Sequence, residues 1–311
     1  YYLLLHAWRA FTGTSEFAVR SLSVFAGVLL VTLTYVIGRR LFSHVTGLLG
    51  AALGAIAPLA ITYSQEARMY ALLAALGAGS TYLALRILPL SGRLDRGGGP
   101  WPPAWGAAVG YVSLSAAGLY TQYTFPFVLL VHNAFFALWW LLRCRSCARR
   151  WAWVGLWGGM QVGLAVLFLP WLGAALHSLS GWSGRGGAYA LGPALWHVLA
   201  VLTTGVTLPD SQAGAALCSA GLLALLGFWI RDLAGRRGGV AGAWGSVILG
   251  LWLLLPVGLI FGLGLYKPAY LKFFIVTLPA ANLLVAHGIE NLARVVSRPR
   301  VRSVRLLGAG V

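Results

Sequence analysis

Residues 21–41, SLSVFAGVLLVTLTYVIGRRL, carry no charged side chain until Arg39 and Arg40 close the run. An α-helix needs about 20 apolar residues to cross a hydrocarbon core about 30 Å thick, and this run has that length. Comparable runs recur near 45–63, 68–88, 104–120, 123–142, 151–171, 214–230, 243–264 and 270–289, so nine spans are predicted. Composition excludes an ordinary soluble domain. Of 311 residues, 59% are hydrophobic and 9% charged, whereas soluble domains carry about 25% charged residues. The predicted fold is all-α, a single polytopic transmembrane helical bundle occupying residues 1–311.

The formal net charge is +17, from 23 Lys and Arg against 6 Asp and Glu. In a soluble chain such a balance points to nucleic acid, but here the basic residues alternate sides between successive spans. Arg39 and Arg40, then Arg86, Arg93 and Arg96, then Arg143, Arg145, Arg149 and Arg150, then Arg231, Arg236 and Arg237 fall on one face. With Arg294, Arg298, Arg300, Arg302 and Arg305 of the tail 290–311, that face holds 17 of the 23. The positive-inside rule makes it cytoplasmic. Arg9, Arg20, Arg68, Arg185, Lys267 and Lys272 are left on the outer face. The charge is a topology signal, and no nucleic-acid partner is predicted.

Two outer segments lie between or before spans. Residues 1–20 open with YYLLLHAWRAFT, too short to cross and rich in aromatics, as suits a helix lying in the interface. Residues 172–213 make the longest predicted loop, with a second interfacial helix over Ala194 to Thr204. A loop of this size either covers a site or simply connects two spans.

Ionisable residues at span edges cost free energy and need a reason. Tyr63-Ser64-Gln65-Glu66-Ala67-Arg68-Met69-Tyr70 forms the outer junction of the second and third spans. Arg68 suits phosphate oxygens, Glu66 accepts a hydroxyl or a metal, and Tyr63 and Tyr70 offer hydroxyls. The same residues also suit an interfacial ion pair within an aromatic belt. Tyr266-Lys267-Pro268-Ala269-Tyr270-Leu271-Lys272 precedes the last span, and its outer lysines suit an anionic lipid head or act as snorkelling anchors. Tyr120-Thr121-Gln122-Tyr123-Thr124 is a third outer turn, and together the three make one polar rim. His177 and His197 lie in the long loop without a metal-binding spacing, and no metal site is assigned. Cys144 and Cys147 form a lone C-x-x-C on the reducing side, a weak signal.

Several of these stretches together resemble a known family: YYLLLHAW at 1–8, GTSEFAVRSLS at 13–23, GRRLF at 38–42, SQEARMY at 64–70, YTQY at 120–123 and LPWL at 169–172, with Tyr270-Leu271 and Pro279-Ala280. The chain resembles the bacterial dolichyl-phosphate-mannose-protein mannosyltransferase-like family, membrane glycosyltransferases of the C superfamily similar to the lipid A aminoarabinose transferase. The resemblance implies a multi-pass enzyme of the bacterial plasma membrane. It would move a sugar from a polyprenyl-phosphate donor, bedded among membrane lipids, to an acceptor at the outer face.

The resemblance also implies site residues. Arg68, Lys267 and Lys272 would stabilise the phosphate leaving group, and Glu66 matches a supporting acidic position that serves a proton or a divalent cation. Tyr1, Tyr2, Tyr63, Tyr70, Gln122 and Tyr270 would line the donor site. The family's leading base lies in a first outer loop, so the chain, beginning at Tyr1, reads as lacking its first span and that loop. Where the family has Pro-Arg-Tyr this chain has Pro268-Ala269-Tyr270, which shifts phosphate contact to Lys267 or Lys272. Where the family has Tyr-Thr-His-Tyr, Gln122 removes a titratable group. The alternatives from other classes are a lipid or solute transporter or flippase, and a catalytically inactive lipid-binding relative.

Overall fold

The computed structural model describes residues 1–90, 105–145, 149–180, 189–205 and 239–296, with scattered residues between 214 and 229. Among them there is no strand. The chain is a polytopic helical bundle: α1 (Tyr2–Thr12), α2 (Glu16–Leu41), α3 (His44–Ile56), α4 (Pro58–Gln65), α5 (Tyr70–Ile87), α6 (Trp105–Thr121), α7 (Pro126–Leu142), α8 (Arg150–Ser180), α9 (Leu191–Thr204), α10 (Gly239–Gly262), a 3-10 helix (Pro268–Thr277) and α11 (Leu278–Val296).

Among the described residues, five helical segments are long and apolar enough to cross a membrane, or six with the bent pair α3–α4. The predicted spans 104–120 and 123–142 appear as α6 and α7, each 17 residues long. The predicted span 214–230 lies almost wholly outside the described residues.

Two spans and three segment boundaries differ from expectation. The predicted span 45–63 is broken: α3 and α4 meet at 56°. Pro58 lacks the N–H a continuous helix would use and pushes Ala57 to an extended backbone, φ −64° and ψ 119°. The predicted span 270–289 opens as a ten-residue 3-10 helix before turning α-helical at Leu278. Outside the spans, Glu16 to Arg20 of the predicted interfacial segment already belong to α2, capped by Ser15 Oγ accepting from Ala18 N at 3.2 Å. Residues 172–180 continue α8 rather than beginning a loop, and residues 290–296 of the predicted tail belong to α11.

Glycines set how closely α2, α3 and α11 approach. A Cβ on Gly38 would lie 2.8 Å from the Cα of Gly47, and one on Gly50 would lie 2.6 Å from Leu283 Cδ2 of α11. Small residues of this kind let membrane helices touch backbone to backbone. At the arginine-rich end, the Glu290 carboxylate of α11, 8% exposed, pairs with Arg294 and accepts from Ser43 Oγ at 2.6 Å and from Thr46 Oγ1. Ser43 also caps α3, accepting from Thr46 N at 3.0 Å. Arg40 caps the end of α5, its Nε and Nη2 donating to Leu85 O at 3.2 and 2.9 Å.

Hydrogen bonds to a buried charge contribute about 1.5–3 kcal/mol. Glu290→Gln is therefore expected to destabilise the bundle by about that much, seen as a lower thermal midpoint in detergent. An unchanged midpoint would mean that the carboxylate does not fasten α11 to α3.

Candidate functional site

At the opposite end, two breaks in helical structure meet. Helix α4 stops at Gln65, where Glu66 is extended at φ −92° and ψ 136°. Arg68 N donates to Glu66 O at 2.8 Å, which closes a tight turn, and α5 begins at Tyr70. Packing fixes α4 from two sides. A Cβ on Gly27 of α2 would run into Ser64 Oγ, and one on Gly205, at the end of α9, would stand 2.8 Å from Pro58 Cβ. The turn therefore has little room to move.

The 3-10 helix supplies the facing wall. With three residues per turn, side chains at i and i+3 fall in line. Leu271, Phe274 and Thr277 form the buried row, while Tyr270 and Phe273 bring their rings to 5.6 Å. Lys272 projects from this wall with Nζ 5.3 Å from the ring centre of Tyr70 and 5.7 Å from that of Phe273. Tyr70 in turn packs edge-on against Tyr63 at 4.9 Å. Lys267 lies over Tyr270 at 5.5 Å. Cation–π contacts of this kind hold an ammonium in place while leaving its N–H groups to donate elsewhere.

Tyr1 joins from α1's end. Its hydroxyl lies 3.3 Å from Ser23 Oγ, which donates to Arg68 O at 3.3 Å. Burial raises the Tyr1 hydroxyl's pKa above the usual tyrosine range, so it stays protonated near neutral pH. Tyr2 packs edge-on against Tyr1 at 5.4 Å and is 70% exposed.

These contacts form two sets, Tyr1–Ser23–Arg68–Glu66 and Tyr63–Tyr70–Lys272–Phe273–Tyr270–Lys267, which the short segment from Arg68 to Tyr70 joins along the chain. Gln122 joins neither. Its Oε1 accepts from Tyr123 N at 3.0 Å within the α6–α7 turn, and the neighbouring Tyr120 hydroxyl donates to Leu167 O of α8 at 2.8 Å.

Glu66 is the chemically exceptional member. Its nearest cation is Arg68 at 3.9 Å, a distance beyond a hydrogen bond. Oε2 is buried and accepts no hydrogen bond. The side chain as a whole is 40% exposed, so the carboxylate stands at the rim within reach of a partner, and Oε2 is the oxygen nearest Arg68. No three His, Cys, Asp or Glu side chains converge on a metal position among the described residues.

Sequence reasoning missed two supports. Ser23, fully buried in α2, couples Tyr1 to the Arg68 turn, and nothing in an apolar span distinguishes it from other small residues. His197 of α9 lies 3.2 Å from the Tyr266 hydroxyl and so ties the outer helix to the lysine-bearing turn. Burial also raises the Tyr266 hydroxyl's pKa, which keeps it a neutral partner for His197.

No protein-family model matches the chain, and no curated protein matches it. The fold is similar to the crystal structure of ArnT from Cupriavidus metallidurans in the apo state, with a TM-score of 0.60 and 15% sequence identity. The likeness covers 93% of this chain and 48% of ArnT, so the chain spans about half the length of that protein. At this identity the likeness is one of fold: a polytopic membrane-helix bundle.

Proposed function

We propose that the protein is a membrane glycosyltransferase that moves a sugar from a polyprenyl-phosphate donor to an acceptor hydroxyl or amine at the outer face of the plasma membrane. The observation that carries this reading is the gathering of a carboxylate and cations at an aromatic rim, with Glu66 3.9 Å from Arg68 and Lys272 over the ring of Tyr70, two residues on from Arg68. The ArnT-like fold supports it at the level of architecture.

In the reaction, the bond between the sugar's anomeric carbon and the phosphate oxygen breaks and one to the acceptor atom forms. The leaving phosphate gains charge, which Arg68 and Lys272 lower in energy because both are already in place when that charge develops. The acceptor's proton passes to the departing phosphate or to water at the outer face. Glu66 takes a supporting part, accepting a hydrogen bond from a hydroxyl of the acceptor or of the sugar. Tyr63, Tyr70 and Tyr270 supply the aromatic walls a sugar ring packs against, with Tyr1 and Tyr2 at the rim. Gln122, bonded within its own turn, is left a marginal place in the donor site.

The test is sugar transfer by the protein expressed from its complete gene, with and without Glu66→Gln. The variant keeps size and removes charge, and it is expected to lower kcat on the order of 10²-fold while leaving KM for the donor close to the parental value. Equal kcat in the two proteins would take Glu66 out of the site.

A further inference from the structure

A cavity of about 820 Å3 opens between α1 and the first turns of α2. Thr12, Ser15, Glu16 and Arg20 line it toward the start of α2, where Phe17 also lies, and Val24 and Phe25 line it further along the helix. Beyond the cavity, Val28 and Leu29 continue the exposed apolar stripe along α2. The cavity exists because Trp8 fastens α1 to α2, its indole N–H donating to Ala18 O and Ser21 Oγ at 3.0 Å each. Helix α1 buries none of its residues and leaves Leu3 and Phe11 each 89% exposed, as expected for a helix bedded in the membrane interface.

Glu16 and Arg20 pair at 2.5 Å one helical turn apart, with side chains 76% and 52% exposed. An exposed pair of this kind contributes little to the helix, so both poles are cheaply turned to another partner. A polar end with one positive and one negative pole, joined to an apolar track, is complementary to an amphiphile whose head carries the same two charges.

We propose that this cavity seats a zwitterionic phospholipid with a primary ammonium head, of the phosphatidylethanolamine class. The ammonium lies on Glu16 and the phosphate on Arg20, and one acyl chain runs along Val24, Phe25 and Val28. An anionic head fits less well, because Glu16 already neutralises the cavity's cation. A quaternary ammonium fits less well, because it has no N–H to give to the carboxylate or to the hydroxyls of Thr12 and Ser15. The volume lies within the range of about 300–1,000 Å3 found for small-molecule sites, enough for a head and the upper part of a chain. The site depends on the membrane bundle alone and stands whether or not the protein transfers sugar.

The test is native mass spectrometry of the protein from its complete gene in mild detergent, titrated with phosphatidylethanolamine, phosphatidylcholine and phosphatidylglycerol of identical acyl chains. Phosphatidylethanolamine is expected to be retained in preference to the other two. The adduct is expected to be lost in the double variant Glu16→Gln, Arg20→Gln, and in Val24→Trp, which fills the cavity without touching the ion pair. If Val24→Trp does not fold, the surface double variant decides alone. Equal retention of phosphatidylcholine, preference for phosphatidylglycerol, or an undiminished adduct in the folded double variant would overturn the proposal.

Discussion

Gly47→Val is expected to cause a severe loss of stability. A Cβ at this position would stand 2.6 Å from Tyr35 O and 2.8 Å from Arg39 N, both backbone atoms of α2. A side chain can rotate away from such a clash, but a helix backbone cannot, so α3 must move off α2 as a body. Overpacking of this kind costs typically about 1–3 kcal/mol, and the second branch of valine puts the change at the upper end of that range. The displacement also reaches further, because α3 carries the Ser43 and Thr46 hydroxyls that hold Glu290, and α4, with Glu66 at its end, follows directly from α3. Thermal unfolding in detergent would show it as a sharply lower midpoint. A parental midpoint would mean that the α2–α3 crossing is looser than the glycine contacts imply.

The double variant Arg68→Ala, Lys272→Ala is expected to lower sugar transfer on the order of 10³-fold, since removing a single preorganised donor to a developing anion costs about 10²–10³. If the two cations act mainly on the leaving phosphate, kcat falls more than the donor's KM rises. If they act mainly in holding the bound donor, KM takes the loss. Stability should hardly change. Arg68 is 57% exposed, Lys272 is set over aromatic rings at the bundle's edge, and surface substitutions usually stay within about 0.5 kcal/mol. Folded protein with parental transfer would leave these side chains as an interfacial ion pair and a membrane anchor.

The class of the fold was legible because lipid imposes a simple rule, and runs such as 21–41 follow it without exception. Its breaks were harder to read. Pro58 stood in plain view inside the run 45–63, yet a hydropathy pattern has the same content on either side of a bend. The 3-10 helix at Pro268–Thr277 left less trace, because a change from 3.6 to three residues per turn over ten positions shifts only which residues share a face. That shift is what aligns Tyr270 with Phe273 and sets Lys272 against Tyr70.

The candidate site was legible in its charged members, since Glu66, Arg68, Lys267 and Lys272 are conspicuous in a chain with 9% charged residues. That the first two and the last two share one cluster is a matter of tertiary structure, with some 200 residues between them. Gln122 was grouped with them by its outer position and by the resemblance, and its hydrogen bond lies within its own turn. Ser23 was invisible for the opposite reason: its role lies in two hydrogen bonds across helices, and its residue type says nothing of them.

Sugar transfer from a panel of radiolabelled polyprenyl-phosphate sugars, using protein expressed from the complete gene and reconstituted in lipid vesicles, decides whether the protein is a glycosyltransferase. Turnover with at least one donor is expected, and its loss in the Arg68→Ala, Lys272→Ala variant while that variant stays folded. Donor binding without turnover by the parental protein would point to a carrier or an inactive relative. Neither binding nor turnover with any donor would overturn the glycosyltransferase assignment.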